Sequence, residues 1–151
     1  MTLEAQLQKS AKEEPSKRWL MVVVGSEELA VRFDYLLRII DDAQIFSVPL
    51  SGDYFQGLIY YQEQAVPVIN WKAISELKNQ GNMFLILEEG KDLIALQVKE
   101  VGGIFWAEPE KEQNSLWYEL DSGKRALRVE NLFASLRQGS FKAKEQGGEN
   151  G

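Results

Sequence analysis

Three pairs of adjacent acids, Glu27-Glu28, Asp41-Asp42 and Glu88-Glu89, are the residues of this 151-residue chain whose type and spacing best suit acid–base chemistry. Two carboxylates act as a catalytic pair only when they converge in a cleft that raises one pKa. All three pairs fall in segments that read as turns, where carboxylates stay solvated, so they read as surface. Nucleophilic chemistry fares no better. The chain has no Cys and no His, which removes a thiolate, a Cys-ligated metal, the usual imidazole base and any phosphohistidine relay. Trp71, Trp106 and Trp117 could form an aromatic platform for a ligand, or could simply fill the core. Trp106, in GGIFWAEPE beside acids and a proline, is expected to be the most exposed.

The elements that would position such groups are mostly strands. Trp19–Val24, a turn at Gly25-Ser26-Glu27-Glu28 and Leu29–Phe33 form a hairpin pattern. Asp34–Ile40 is a third apolar segment, and Ile45-Phe46-Ser47-Val48-Pro49 a fourth. In LIYYQEQAVPVIN, from Leu58 to Asn70, two apolar runs flank the polar break Gln62-Glu63-Gln64. Pro67 cannot donate to a ladder and is expected at an edge, a bulge or a barrel corner. Asn70 is expected to cap a short helix, with Trp71, Ile74 and Leu77 facing the core and Gly81 closing it. Further hairpins join Met83–Leu87 to Leu93–Val98 and Leu116–Leu120 to Ala126–Val129. Gly102-Gly103 reads as a bend or bulge, and Glu130–Arg137 as a closing helix with Leu132, Phe133 and Leu136 on one face. Many short strands and two short helices predict a mainly-β, barrel-like architecture.

Composition narrows the partners. Hydrophobic content of 44% and charged content of 26% are ordinary globular values. A net charge of −6 opposes binding to phosphate backbones and to anionic lipid, so no nucleic acid and no membrane insertion are expected. The longest clean apolar run, Trp19–Val24, is too short to span a bilayer, and the N-terminus lacks the apolar core of a signal peptide. A cytoplasmic protein is expected. Residues 1–17 read as a flexible leader, 18–137 as the folded domain and 138–151 as a flexible tail. No cofactor or metal motif is visible, and no enzymatic activity is expected.

Four blocks, in order, resemble the CheW-like domain, the adaptor module of bacterial chemosensory arrays. They are WLMVVVGSEELAVRFDYLLRII from Trp19, Phe46–Pro49 with Tyr54–Ile59, Ala65–Asn70 (similar to a P-V-I-D-L signature), and LIALQVKEVGGI from Leu93. VENLFASL looks like that family's closing helix. The resemblance implies two packed five-stranded SH3-like β-barrel subdomains with short helices and no catalysis. The partners it implies are a CheA-type histidine kinase regulatory domain, a chemoreceptor cytoplasmic tip, or both.

A partner surface is then expected at Leu36, Arg38, Ile40, Tyr54, Gly57, Tyr60, Gln62 and Glu63, along the strand edges of the first two blocks. This chain departs from the family pattern at polar positions. Gln62-Glu63 stands where the family writes Arg-Gly, Arg38 where it writes an acid, and Lys99 where it writes Asp. If the two segments lie side by side, Arg38 and Glu63 keep an acid–base pair with its signs exchanged. The alternatives are a CheW-like module serving pili, gliding motility or protein localisation, and a β-barrel that binds small ligands through Trp106 and Trp117.

Overall fold

The structure is a computed structural model that describes residues 17–47, 54–114 and 116–138. Eleven strands and two helices occupy these residues. They are β1 (Lys17–Val24), β2 (Glu27–Arg32), β3 (Leu36–Asp41), β4 (Phe55–Tyr61), β5 (Gln64–Ile69), α1 (Trp71–Ser75), β6 (Met83–Glu89), β7 (Asp92–Val98), β8 (Glu100–Ala107), β9 (Pro109–Glu112), β10 (Trp117–Leu120), β11 (Arg125–Leu127) and α2 (Val129–Arg137). A 3₁₀ turn over Phe33–Tyr35 joins β2 to β3. The predicted leader, apart from Lys17, lies outside the described residues, as do Val48-Pro49 and the tail beyond Gln138.

The strands form two sheets. One has six strands in the order β8-β1-β2-β11-β10-β9, and the other five in the order β3-β6-β7-β5-β4. The five-stranded sheet is one contiguous piece of chain, inserted between β2 and β8 of the other. The expected mainly-β, two-part architecture is present, but one part has six strands. The extra strand is β9, Pro-Glu-Lys-Glu, which pairs with β10 and carries no apolar pattern by which to read it.

Side-chain alternation divides the interior into three cores. The central one joins both sheets and α2 through Leu20, Val22, Leu29, Leu85, Leu87, Ile94, Trp117 and Phe133. The opposite face of the five-stranded sheet gathers Ile59, Val66, Phe84, Ile86 and Ala95. The opposite face of the six-stranded sheet gathers Trp19, Ala30, Ala107, Leu120 and Ala126. β6 and β7 are therefore buried on both faces, which is why they read as unbroken apolar runs.

Several local expectations need correcting. The first hairpin turns on two residues, Gly25-Ser26, and Glu27-Glu28 belongs to β2. Both acids are paired across to β11 or its turn: Arg125 grips Glu27 at 2.6 and 2.7 Å, and Lys124 meets Glu28 at 3.0 Å. Asn70 occupies the N-cap position, but its side chain does not cap. Asn79 does so instead, accepting from the Trp71 N–H at 2.7 Å and donating to Asn70 Oδ1 at 2.7 Å. Helix α1 ends at Glu76 in the left-handed conformation, before Leu77, so Gly81 does not close it. Gly81 is needed elsewhere, because a Cβ there would stand 2.1 Å from the Val98 carbonyl oxygen. Pro67 lies in an interior strand. It is tolerated because β5 meets β7 through a single parallel pair, Val68 with Ala95. Gly102-Gly103 forms the expected bulge, two residues facing Met21 between the pairs Leu20–Ile104 and Val22–Val101.

Candidate protein-interaction site

The predicted site residues sit on the two edge strands of the five-stranded sheet. β3 carries Leu36, Arg38 and Ile40. β4 and the turn after it carry Gly57, Tyr60, Gln62 and Glu63, with Tyr54 one residue before β4. A bulge between Leu36 and Arg38 breaks the simple alternation of β3. Leu36 therefore packs into the central core, while Ile40 turns to the opposite core. Arg38 is exposed, and so are Leu37 and Ile39 beside it. The sequence reading covered this span but did not single out Leu37 and Ile39. Their signal was the run LLRII, whose apolar residues outnumber the buried faces available to an edge strand.

On β4 the division is similar. Tyr54 packs against the central core. Gly57 is buried, and a Cβ on it would stand 2.6 Å from the Phe46 carbonyl oxygen, so the residue exists to let the Ile45-Phe46 segment close on β4. Phe46 and Leu58 exchange backbone hydrogen bonds of 2.7 and 2.9 Å across that approach. The result is an exposed aromatic pair, Phe46 against Tyr60, edge to face with ring centroids 5.4 Å apart. Tyr60 is 60% exposed.

The β4–β5 hairpin turns on Gln62 and Glu63 alone, both at positive φ, +50° and +66°. Two-residue hairpin turns with both centres at positive φ favour Asn-Gly or Gly-Gly, because a Cβ crowds the backbone there. Glu63 thus occupies a position that suits the family's glycine, and the tip carries two solvated polar side chains in place of a cation. The sign-exchanged pair is not formed. β3 and β4 are at opposite ends of the ladder, and no ion pair joins Arg38 to Glu63 among the described residues.

Other predicted features separate clearly. Trp71 and Trp117 are buried in the central core, their indole N–H groups donating to the Gln97 and Ile74 carbonyls at 2.7 and 3.2 Å. Trp106 is 67% exposed on edge strand β8, with Arg18 5.8 Å above its ring. No shared aromatic platform exists, since two of the three rings are inaccessible. Arg18 also donates to Asp34 at 3.0 Å, and Arg32 does so at 2.9 Å. The hydrogen bond from Arg32, followed by that from Arg18, holds the Asp34 carboxyl below its ordinary range.

A Ser-x-x-Lys spacing runs from Ser75 to Lys78. The geometry that would let the lysine activate the serine is missing, because Ser75 ends α1 and Glu76 leaves helical conformation before Lys78. Among the described residues no group of acids is arranged to hold a metal ion, and no helix is long and apolar enough to cross a membrane.

Comparison with known proteins agrees with this geometry. Comparison with curated protein sequences finds no match. Among solved structures, the scaffolding protein TtCheW from Thermoanaerobacter tengcongensis is similar. It superposes with a TM-score of 0.58 at 16% identity, over 74% of this chain and 86% of that one. The family model for the CheW-like domain matches residues 18–128. The chain is therefore a member of the CheW-like domain family.

Proposed function

We propose that this protein is a noncatalytic, cytoplasmic adaptor of chemotaxis-type signalling that couples chemoreceptors to a CheA-type histidine kinase. The observation that carries this reading is the exposure of apolar side chains on both edges of the five-stranded sheet of a CheW-like domain: Leu37 and Ile39 on β3, Phe46 and Tyr60 beside β4. A bridging adaptor needs two separate surfaces, and two apolar edges supply them. Of the residues expected to bind, Arg38, Tyr60, Gln62 and Glu63 present side chains to a partner. Leu36, Ile40, Tyr54 and Gly57 hold the framework that positions them.

Isothermal titration against a CheA-type regulatory domain and against a receptor cytoplasmic tip tests this. Binding to both is expected. Ile39→Lys or Tyr60→Ala should weaken one of the two by tenfold or more, since exposed aromatic and aliphatic anchors dominate such interfaces. A second reading, a CheW-like module serving pili, gliding motility or protein localisation, is favoured by the polar departures at Arg38, Gln62, Glu63 and Lys99. Failure to bind either kinase or receptor would select it.

A further inference from the structure

The segment between α1 and β6 packs beside the β1–β2 turn, where a Cβ on Gly25 would stand 3.6 Å from the Lys78 backbone nitrogen. Two adjoining depressions of about 330 and 350 Å³ open there, and Lys78 and Gln80 line both. Lys99, Ser26 and Glu76 border the first, and Lys72 the second. The groove shares no residue with the apolar edges β3 and β4.

Three cations converge here without counter-ions. The side chains of Lys72, Lys78 and Lys99 are exposed, and none has an ion pair or hydrogen bond among the described residues. Glu76 is the one acid among the described lining residues. The backbone that carries the lysines is tied down. Asn79 accepts from the Trp71 N–H and donates to Asn70 Oδ1. The Gly81 carbonyl accepts from the Gln97 side chain at 2.9 Å, and the Lys99 N–H donates to the Val23 carbonyl at 2.8 Å. Like charges held together by such a frame repel one another, and an anionic partner relieves that repulsion with little ordering cost. In a chain of net charge −6 this concentration of cations is local. Lys99 also stands where the family pattern has an acid, so the positive sign belongs to this chain and not to the shared framework.

We propose that this groove binds an acidic polypeptide segment. Its carboxylates accept from Lys78 between the two depressions, Lys99 in the first and Lys72 in the second, and Gln80 is placed to hydrogen-bond its backbone. An extended chain repeats its side chains on one face about every 7 Å and so reaches successive lysines, whereas a single small anion occupies one depression alone. A nucleic acid fits less well. No aromatic ring lines either depression for a base to stack on, and the net negative charge of the chain repels a long phosphate backbone.

The test uses the full chain and a fluorescein-labelled octaglutamate peptide, followed by fluorescence anisotropy at low and at physiological salt. Binding is expected, and it should weaken as salt rises. Lys78→Glu should weaken it by about tenfold, and Lys99→Asp, which restores the family's acid, by severalfold. Glu76→Gln removes the opposing charge and should tighten it. Lys91→Glu and Lys111→Glu make the same change of net charge at exposed lysines elsewhere, and each should alter the affinity by less than about twofold. The proposal is overturned if the peptide does not bind, if Lys91→Glu weakens binding as much as Lys78→Glu, or if Glu76→Gln weakens it. Displacement of the labelled peptide by an oligothymidylate of equal charge as readily as by unlabelled octaglutamate would also overturn it.

Discussion

The two sheets end differently. The six-stranded sheet closes one side with β9, Pro109–Glu112, where a proline and three charged side chains offer a neighbouring chain little to pair with. The five-stranded sheet ends in β3 and β4, which keep Leu37, Ile39 and Tyr60 in solvent. Its interior strands explain how this is tolerated. β6 and β7 are buried on both faces, so most of the sheet's apolar material lies in its interior strands rather than at its edges. The remaining edge, β8, is intermediate. The Gly102-Gly103 bulge breaks its ladder, yet Trp106 stays exposed beneath Arg18. Edge protection thus differs strand by strand: β9 by charge and proline, β8 by its bulge, β4 in part by the Phe46–Leu58 bridge, and β3 least.

The contrast can be broken most severely at Gly57. Gly57→Ala forces the Phe46 backbone off β4, and overpacking of this kind should cost about 1–3 kcal/mol in denaturant unfolding. The same variant should weaken partner binding by separating Phe46 from Tyr60. Unchanged stability would show that the close approach is not required. Next in size, Ile39→Lys should lower partner affinity by roughly tenfold, about 1.4 kcal/mol, while its own stability stays within about 0.5 kcal/mol of the parent. Glu110→Ala on β9 is the matched control. Equal losses for the two variants would erase the distinction between the edges.

At the hairpin tip, Glu63→Gly relieves a side chain held at positive φ. It should raise stability by about 0.5–1 kcal/mol, read as a higher unfolding midpoint. A lower midpoint would mean that Glu63 makes a favourable contact at the tip.

The smallest effect concerns Asp34, the exposed acid shared by Arg18 and Arg32. Its folded-state pKa is depressed, so the unfolded chain takes up the proton first as pH falls. The stability it contributes is complete above the ordinary Asp range near 3.9 and is lost as pH falls below it. Asp34→Asn should flatten that part of the acid-stability curve and leave neutral stability nearly unchanged, because exposed pairs are screened.

Much of the framework was legible because it is written in periodicity and turn chemistry. The β6–β7 hairpin, the burial of Leu132 and Phe133 on α2 and the Gly102-Gly103 bulge all follow from local pattern. The misses share a different cause. β9 is polar throughout and is a strand only because β10 offers it a ladder. The α1 cap comes from Asn79, eight residues beyond the Trp71 N–H it accepts. Leu36 and Ile40 were expected on a partner surface, but a single extra residue in the β3 ladder sends Leu36 to the central core and Ile40 to the opposite one. The Arg38–Glu63 pairing failed because strand order is a property of the whole sheet.

The sequence by itself determined the apolar strands, the approximate places where the chain reverses, the absence of thiol and imidazole chemistry and the family to which the chain belongs. These depend on residue type and short spacing, which a local reading captures. Only the tertiary structure decided which apolar residues remain outside. Leu37 and Leu36 are the same residue type one position apart, yet one faces water and the other the central core. The Arg32 Nε, buried and without an acceptor among the described residues, likewise takes its surroundings from elements distant in sequence. Exposure and polar satisfaction depend on what lies opposite a side chain, and strands distant in sequence supply it.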